Sequence, residues 1–371
     1  MNILFLPLEF PVWKDASKWG YGGTISLVEA ITSHRVNVFT VPTYHPYGGH
    51  IPSFVDHIRS LCTGMKFDQV WIEFVHSALD DSLLNWLRET VPVRLGWSFE
   101  SLEIFPEEWK SNPEGCRKRE LHTQQRLPWV THLLATDEAD VERIARTTSV
   151  ATMAFPPGFA VPRRCVNLNP PPPSTDQALF FGTAYGERKQ WLEHPVLQGL
   201  LGYRAQSPEW STQLPALYDQ LHQQIQGLLV QPGVNHEMLT LYQNALLTLR
   251  RECFDLWQTG LREGIATVNL PQRGKAYAGR VVESMAAGRP VIAARMVDRT
   301  RSMMHFEDGK EILLYSTPEE LAEKIRMLQK DKSLAQAITS NATKKVLAYH
   351  TTEGFLGTVF PWLQGRASTT Y

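Results

Sequence analysis

Short apolar segments alternate with amphipathic segments along the whole chain, and this alternation limits the fold more than any other feature. Three apolar runs have the composition of buried strands: Asn2 to Leu8, Val36 to Val41 and Phe67 to Val75. Apolar residues with helical spacing follow at Thr24 to Ser33, with Thr24 as a candidate N-cap, and at Asp80 to Glu89. Alternating strands and helices form a parallel sheet covered on both faces. The sequence therefore predicts an α/β protein.

Four consecutive prolines, Pro170 to Pro173, interrupt this pattern near the middle of the chain. Such a run continues neither a helix nor a strand and forms a stiff, extended spacer. A chain of 371 residues is also long enough for two domains, each with its own core. We therefore predict a first domain at residues 1–163, a linker at 164–177 and a second domain that starts at residue 178.

The same alternation continues on both sides of the linker. In the first half, further strands are expected at Val93 to Phe99 and His132 to Thr136, and helices at Ser53 to Cys62 and Asp137 to Arg146. In the second half, the predicted strands are Ala178 to Phe181, Ala266 to Leu270, Pro290 to Ala294 and Ile312 to Tyr315. The predicted helices there are Arg188 to Leu201, Trp210 to Leu229, His236 to Cys253, Ala278 to Ala287, Pro318 to Gln329 and Leu334 to Tyr349.

Composition and charge exclude several classes of protein. Hydrophobic residues make up 43% of the chain and charged residues 20%, as in a globular protein. The net charge of −1 does not favour a nucleic-acid-binding surface. The four cysteines are far apart and form no CxxC pair, which argues against a zinc site and fits a reducing compartment. Without a signal peptide or an apolar run of about 20 residues, a soluble cytoplasmic protein is expected.

The segment GRVVESMAAGRPVIAA, Gly279 to Ala294, has the pattern of a nucleotide-binding element. A helix is followed by Gly288 and then by a buried strand. Backbone N–H groups at the start of such a helix favour a diphosphate. Glu283 lies inside the helix, where its carboxylate can accept hydrogen bonds from two vicinal ribose hydroxyls; the alternative is a solvated or salt-bridged helix residue.

This segment and three others together resemble the GT-B glycosyltransferases, in particular the retaining family 4 and the spore-coat-type group. The others are FFGTAYGERKQWL at 180–192, FEDGKEILLYSTPEELAEKIRMLQKD at 306–331 and HTTEGFL at 350–356. The resemblance implies two Rossmann-like parallel-sheet domains that face a central cleft. It also implies that residues 1–163 bind the acceptor, that residues 178–350 bind the nucleotide sugar, and that residues 351–371 pack back on the first domain as a helix.

The resemblance assigns ribose binding to Glu283 and phosphate binding to basic residues around it. The donor-side candidates are Arg188, which we take as catalytic, and Glu283, Arg280, Lys275, Gly182 and Lys189. Arginine and lysine can neutralise a departing nucleoside diphosphate without a metal ion. Lys275 departs from the retaining pattern, because that group has a sugar-contacting glutamate eight residues before Glu283. For Arg188 and Lys189, the alternative is a solvent-facing place on a helix.

The first domain offers candidates at strand ends and in one glycine-rich segment. His76 follows the strand VWIEFV and Glu100 ends the strand LGWSFE, where open α/β sheets bind their ligands. Each can orient an acceptor hydroxyl or act as a catalytic base, although most such residues are structural. Gly22 and Gly23, within WGYGG, are expected in a loop that approaches the donor phosphate or the acceptor; a plain connecting loop is the alternative.

The leading hypothesis is transfer of a sugar from a donor such as a UDP- or GDP-sugar to an acceptor hydroxyl, without a metal or other cofactor and with retention. The acceptor class stays open among glycans, lipid-linked sugars, proteins, small molecules and modified nucleic-acid bases. A nucleotide-sugar epimerase on the same fold and a non-catalytic nucleotide-sugar-binding protein are the alternatives. A redox Rossmann protein is disfavoured because WGYGG is not a GxGxxG motif.

Overall fold

The computed structural model describes most of the chain, with gaps. The described residues are 1–9, 22–41, 43–44, 58–60, 62–77, 79–98, 100–154, 160–182, 184, 186–204, 220, 244, 248, 251–252, 254–271, 278–295 and 306–365. Most residues of three predicted helices, at Ser53 to Cys62, Trp210 to Leu229 and His236 to Cys253, lie outside the described residues, as does Lys275. No helix among the described residues is long and apolar enough to cross a membrane.

The first half of the chain forms a six-stranded parallel sheet in the order β3-β1-β5-β6-β7-β8. Its strands are β1 (Asn2–Leu6), β3 (Asn37–Thr40), β5 (Gln69–Glu73), β6 (Val93–Trp97), β7 (His132–Ala135) and β8 (Ala151–Ala154). Two short strands, β2 (Leu8–Glu9) and β4 (Thr43–Tyr44), pair with each other in parallel. Because all the strands run in one direction, their carboxyl ends share one edge of the sheet.

Helices connect these strands, and apolar side chains pack on both faces of the sheet. The helices are α1 (Gly22–Ser33), α2 (Asp81–Thr90), α3 (Pro106–Ser111), α4 (Pro113–Arg126) and α5 (Glu138–Thr147). Leu4, Leu6, Val70 and Ile72 belong to the core on one face, and Ile3, Phe5, Trp71 and Leu95 to the core on the other. This alternation follows from the two-residue period of a strand.

The second half forms a five-stranded parallel sheet in the order β10-β9-β11-β12-β13. Its strands are β9 (Ala178–Phe181), β10 (Leu201–Arg204), β11 (Ala266–Asn269), β12 (Val291–Ala294) and β13 (Leu313–Tyr315). The helices are α6 (Glu187–Leu192), α7 (Arg280–Ala286), α8 (Pro318–Lys330), α9 (Lys332–Tyr349) and α10 (Thr352–Leu363). Residues 254–260 are also helical. The predicted fold of two parallel-sheet α/β domains is confirmed.

The segment between the two sheets lies against the second domain. Asn167 donates its backbone N–H to the Ala286 carbonyl at 2.7 Å. Gly288 has a φ of +84°, and a Cβ there would lie 2.8 Å from Pro170. Arg289, buried beside this glycine, donates Nη2 to the Pro171 carbonyl at 2.6 Å. The proline run is therefore held along the second domain by contacts at the end of α7.

The last helix of the chain, α10, packs in the core of the first sheet. Phe355, Leu356 and Val359 share a buried cluster with Ile3, Phe5 and Trp71. The ring of Trp362 meets that of His132 edge to face, with centroids 4.9 Å apart. A parallel bridge between Val161 and Thr351 lies where the chain passes between the halves. Residues from both ends of the chain thus complete one core.

Two sequence-based predictions of local structure were wrong. The helix expected at Arg188 to Leu201 ends at Leu192 and is followed by a 3-10 turn at Pro195–Leu197 and by strand β10. Pro195 lacks an N–H donor and restricts the backbone before it, which explains the early end. Gly22 and Gly23 belong to α1 rather than to a loop, so Thr24 does not cap the helix.

Candidate functional site

Polar residues follow β5 and β6 at the carboxyl edge of the first sheet, and the structure brings two of the predicted residues together there. His76 Nε2 lies 3.2 Å from Glu100 Oε2. The same oxygen accepts a hydrogen bond from Arg119 Nη1 at 2.7 Å, and Arg119 Nη2 lies 3.0 Å from Glu108. Glu100 lies three residues beyond the end of β6, rather than in that strand. His76 and Glu100 therefore form one charged cluster.

The turn that carries His76 is built around a buried carboxylate. Glu73, the last residue of β5, accepts backbone N–H bonds from Val75, His76 and Ser77 at 3.1, 2.5 and 2.8 Å. Arg126 is also buried and donates to the carbonyl of Ser77 in the same turn. These bonds fix the backbone of residues 75–77, so that the position of the His76 ring is determined by the end of the strand.

Charge pairing sets the protonation of this cluster. Desolvation would raise the pKa of the Glu100 carboxyl, but His76 and Arg119 beside it lower that pKa to about 2. Burial would lower the pKa of His76, but the Glu100 carboxylate raises it above the ordinary value for histidine. At neutral pH, Glu100 is therefore ionised, and His76 is cationic more often than an isolated histidine.

Two arginines meet at the carboxyl edge of the second sheet. Arg188 lies in α6, which follows β9, and its Nε donates to the Pro271 carbonyl at 2.9 Å. Arg280 begins α7, and its guanidinium carbon lies 5.3 Å from the centre of the Phe180 ring; that of Arg188 lies 5.4 Å from the same ring. Arg188 is 4% exposed. Two residues more than 90 positions apart therefore place positive charge on one aromatic side chain.

Gly182 makes the approach of Arg280 possible. This residue follows β9 with a φ of +136°, in a region that favours glycine. A Cβ at this position would lie 2.6 Å from Arg280 Nη2. Arg280 Nη1 lies 3.5 Å from Asn269 Oδ1 at the end of β11. The glycine predicted in this turn therefore leaves space for a predicted arginine.

Glu283 lies in the first turn of α7 and is 6% exposed. Its Oε2 accepts a hydrogen bond from the indole Nε1 of Trp257 at 2.8 Å. Burial raises the pKa of the Glu283 carboxyl to about 7, although Trp257 and Arg280 each act to lower it. The solvated position considered for this residue is therefore wrong, because Glu283 is buried and bonded to an indole.

Lys189 differs from the arginines in its surroundings. Its side chain is 71% exposed, and its Nζ lies 3.8 Å from Glu193 Oε1 one helical turn away. The structure therefore gives Lys189 a surface position next to buried Arg188. Its predicted contact with a phosphate stays a prediction.

Known proteins resemble this chain in one sequence segment and in the fold of both domains. Residues 202–358 match the family model described as glycosyl transferase-like. HepE of Anabaena, in a complex with UDP-glucose, is 14% identical, and the match covers 98% of this chain and all of that one with a TM-score of 0.53. Sucrose-phosphate synthase from Thermosynechococcus elongatus is 13% identical, and the match covers 98% of this chain and all of that one with a TM-score of 0.58. MnaA of S. aureus, solved with UDP, is 10% identical, and the match covers 99% of this chain and 97% of that one with a TM-score of 0.50.

The chain has the GT-B fold, and its residues 202–358 match a glycosyltransferase-like family. The solved structures are too distant in sequence to show more than the fold. No curated protein matches the sequence. The predicted GT-B fold is thus confirmed, and the match over residues 202–358 supports the predicted glycosyltransferase class.

Three residues that build these two candidate sites were missed by sequence reasoning. Glu73 and Arg119 hold the first-domain cluster, and Trp257 binds Glu283. A carboxylate within the apolar run FDQVWIEFV was one available signal, because a buried carboxylate needs partners. Asn112 followed by Pro113 was another, since this pair is typical of a helix start and would have predicted α4. Nothing in the sequence links Trp257 to Glu283.

Proposed function

We propose that this glycosyltransferase moves a sugar from a nucleoside diphosphate sugar to an acceptor hydroxyl, with residues 178–350 as the donor domain and residues 1–163 as the acceptor domain. One observation carries the proposal: Arg188 and Arg280 meet on Phe180 at the carboxyl edge of the second sheet, where Glu283 lies in the first turn of α7. Ligands of open parallel sheets bind at this edge.

The two arginines have the chemistry that a nucleoside diphosphate leaving group needs. As the bond to the sugar breaks, negative charge develops on the diphosphate. Guanidinium groups that are already in place stabilise this charge without reorganisation. The hydrogen bond from Arg188 Nε to a carbonyl and the position of both cations on Phe180 hold them there. We propose that these cations replace a metal ion, so activity should persist in a chelator.

We propose a uridine diphosphate sugar as the first donor to test. HepE was solved with UDP-glucose, and MnaA with UDP. In our proposal, Glu283 accepts hydrogen bonds from the ribose hydroxyls, and the arginines contact the phosphates. A GDP-sugar is the second donor class. The sugar itself is unassigned, because Lys275 stands where the retaining group has a sugar-contacting glutamate.

The charge state of the first-domain cluster favours retention. An inverting enzyme needs a base that removes the acceptor proton. With its pKa near 2, Glu100 has little affinity for a proton, and pairing makes His76 more often cationic at neutral pH. We propose that His76 and Glu100 orient the acceptor and that a phosphate oxygen of the leaving group takes the proton.

Nucleotide binding is the first experiment. Thermal unfolding would be followed with UDP, GDP, UDP-glucose and GDP-mannose, each with and without a chelator. We expect at least one nucleotide to raise the melting temperature, and the chelator to leave that rise unchanged. Arg188→Ala and Arg280→Ala should each reduce the rise. Failure of every nucleotide to shift the melting temperature would contradict the donor site.

Product analysis separates transfer from mere binding. With the nucleotide sugar that binds, slow release of free sugar shows that the glycosidic bond to phosphate is broken. Proton NMR then gives the anomer that forms first. An anomer with the configuration of the donor supports retention, and the opposite anomer makes His76 the base to test. Binding without any hydrolysis or transfer would instead support the non-catalytic alternative.

A further inference from the structure

Trp257 holds Glu283 in a fixed place, although the two residues come from different parts of the fold. Trp257 lies in the helical residues 254–260, and Glu283 lies in α7, beyond β11. The indole Nε1 donates to Glu283 Oε2 at 2.8 Å. No other described side chain makes a hydrogen bond to this carboxylate. The indole therefore binds one of the two carboxylate oxygens of Glu283.

The indole that makes this bond is itself fixed by packing. Trp257 is 7% exposed and meets the ring of Phe181 edge to face, with centroids 5.6 Å apart. Phe181, Phe254 and Leu261 are buried in the same cluster. An indole N–H that is buried usually needs a hydrogen-bond partner, and Glu283 supplies it. Rotation of the Glu283 carboxylate would break this bond, so the contact sets the orientation of the second oxygen.

We propose that Trp257 is a positioning residue that holds Glu283 Oε2, so that Oε1 accepts a hydrogen bond from a ribose hydroxyl of the nucleotide donor. This inference rests on the proposed function and adds a residue that touches no substrate. The indole has a second effect, because a hydrogen bond to the charged form of a carboxylate favours ionisation. An ionised Glu283 is the stronger acceptor for a hydroxyl.

The charges around Glu283 make this second effect measurable. Burial raises the pKa of Glu283 to about 7, and the Trp257 hydrogen bond and the Arg280 charge oppose this rise. Arg262 and Arg289 lie at the other end of α7, where Arg262 binds the Ala287 carbonyl and Arg289 binds the Arg262 carbonyl. Among the described residues, Arg280 is therefore the charged neighbour that acts on Glu283. Loss of the indole donor should raise the pKa of Glu283 further.

Calorimetric binding of UDP-glucose between pH 6 and 9 tests the proposal. The diphosphate of this probe is substituted at both ends, so the charge of its phosphates stays constant across the range. Affinity of the unmodified protein should fall on acidification through about pH 7. In Trp257→Phe, the midpoint should move to higher pH by about one unit, as expected for the loss of one bond to a charged group. At pH 9, the affinities of the two proteins should agree within about threefold.

Two matched variants separate the possible failures. Glu283→Gln keeps an acceptor for the indole but does not titrate, so its affinity should be low and independent of pH. Trp129→Phe also removes an indole donor, one that binds the Leu84 carbonyl in the first domain, and should leave the midpoint unchanged. An unchanged midpoint in Trp257→Phe, or an equal loss at every pH, overturns the role of Trp257. Unaltered binding by Glu283→Gln overturns the proposed ribose site instead.

Indole NMR signals keep the proposal testable if Trp257→Phe does not fold. The chain has 11 tryptophans, and each gives one indole N–H signal. One signal should titrate near pH 7 in the unmodified protein, shift when UDP-glucose binds, and lose its titration in Glu283→Gln. If none of the 11 signals behaves in this way, Trp257 does not report on Glu283 and the proposal is wrong.

Discussion

The two sheets of this protein differ in their electrostatics at equivalent edges. At the second sheet, two arginines lie on an aromatic ring, and Glu283 is a buried carboxyl with a pKa raised to about 7. At the first sheet, the Glu100 side chain is 47% exposed, with a pKa lowered to about 2 by His76 and Arg119. The edge of the second sheet favours binding of an anion, whereas the charged groups at the edge of the first sheet are paired with one another.

This difference matches the two kinds of ligand in the proposed reaction. A nucleoside diphosphate is anionic, so buried and rigid cations suit it. An acceptor hydroxyl is neutral, and a half-exposed pair can bind it by hydrogen bonds without a large change in charge. Variants that remove a charge from one edge at a time test this difference.

The largest effect is expected for Arg188→Ala, which removes a buried cation from the donor edge. The transition state would lose one fixed charge next to the leaving diphosphate. We expect kcat to fall by roughly 10²- to 10³-fold, the usual size for the loss of one such donor. Steady-state rates of donor hydrolysis or transfer measure this.

Arg94→Ala is a control for the general cost of losing such an arginine. Arg94 also lies over an aromatic ring, that of Trp129 at 5.9 Å, and its Nε donates to the Trp129 carbonyl at 2.8 Å. It lies in β6, and kcat should stay within about twofold of the unmodified enzyme. Equal losses in the two variants would show that Arg188 acts only through stability.

Glu283→Gln should stabilise the nucleotide-free protein at neutral and alkaline pH. The pKa of Glu283 is raised in the folded state from 4.5 to about 7, so ionisation opposes folding. The free energy of unfolding therefore falls between about pH 4.5 and 7 in the unmodified protein. Above pH 7, the variant should be more stable by up to about 3 kcal/mol, and the two should be equal below pH 4.5. Denaturant unfolding at pH 4.5 and 8 measures the difference; a constant offset would contradict the raised pKa.

The contrast between the edges also explains what the sequence could predict. Strand β9 was predicted at its observed bounds, because a short apolar run followed by glycine is a strong local pattern. Arg188, Arg280 and Glu283 were found through segments that resemble a known family. The contact between His76 and Glu100 was not predicted, because it depends on which strands are neighbours in the sheet. Trp257 was missed for the same reason, since its partner is 26 residues away.

A smaller effect is expected for Glu100→Gln at the acceptor edge. The variant keeps the shape of the side chain but loses the charge that pairs with His76 and Arg119. We expect the KM for the acceptor to rise roughly tenfold, with donor affinity unchanged. Initial rates at varied acceptor concentration measure this, once an acceptor is known. Glu89→Gln, on the exposed end of α2, is the control.

The titration of Glu100 gives a second measurement that needs no acceptor. Because its pKa is lowered in the folded state, its charge stabilises the protein above pH 4.5, and this contribution is lost as pH falls from 4.5 to about 2. The acid transition of Glu100→Gln should therefore be shallower than that of the unmodified protein. In the kinetic experiment with an acceptor, tighter acceptor binding by Glu100→Gln would contradict the proposed role of Glu100 in orienting the acceptor.

The smallest effect is expected for Glu29→Gln, which loosens the ionic contact between the two halves. Glu29 lies in α1 and accepts bonds from Arg164 and Arg251 at 2.9 and 2.7 Å, while Arg164 also binds Asp255 at 2.6 Å. Partly exposed ion pairs contribute up to about 1 kcal/mol each, and salt weakens them. The melting temperature should therefore fall by a few degrees at low salt and by less in 0.5 M salt, where the Debye length is only about 4 Å. Glu142→Gln, which removes the pairing of Glu142 with Arg146 within one helix, should change it less. If Glu29→Gln and Glu142→Gln change the melting temperature equally, the ion pairs of Glu29 do not link the two domains, and each domain presents its own site independently.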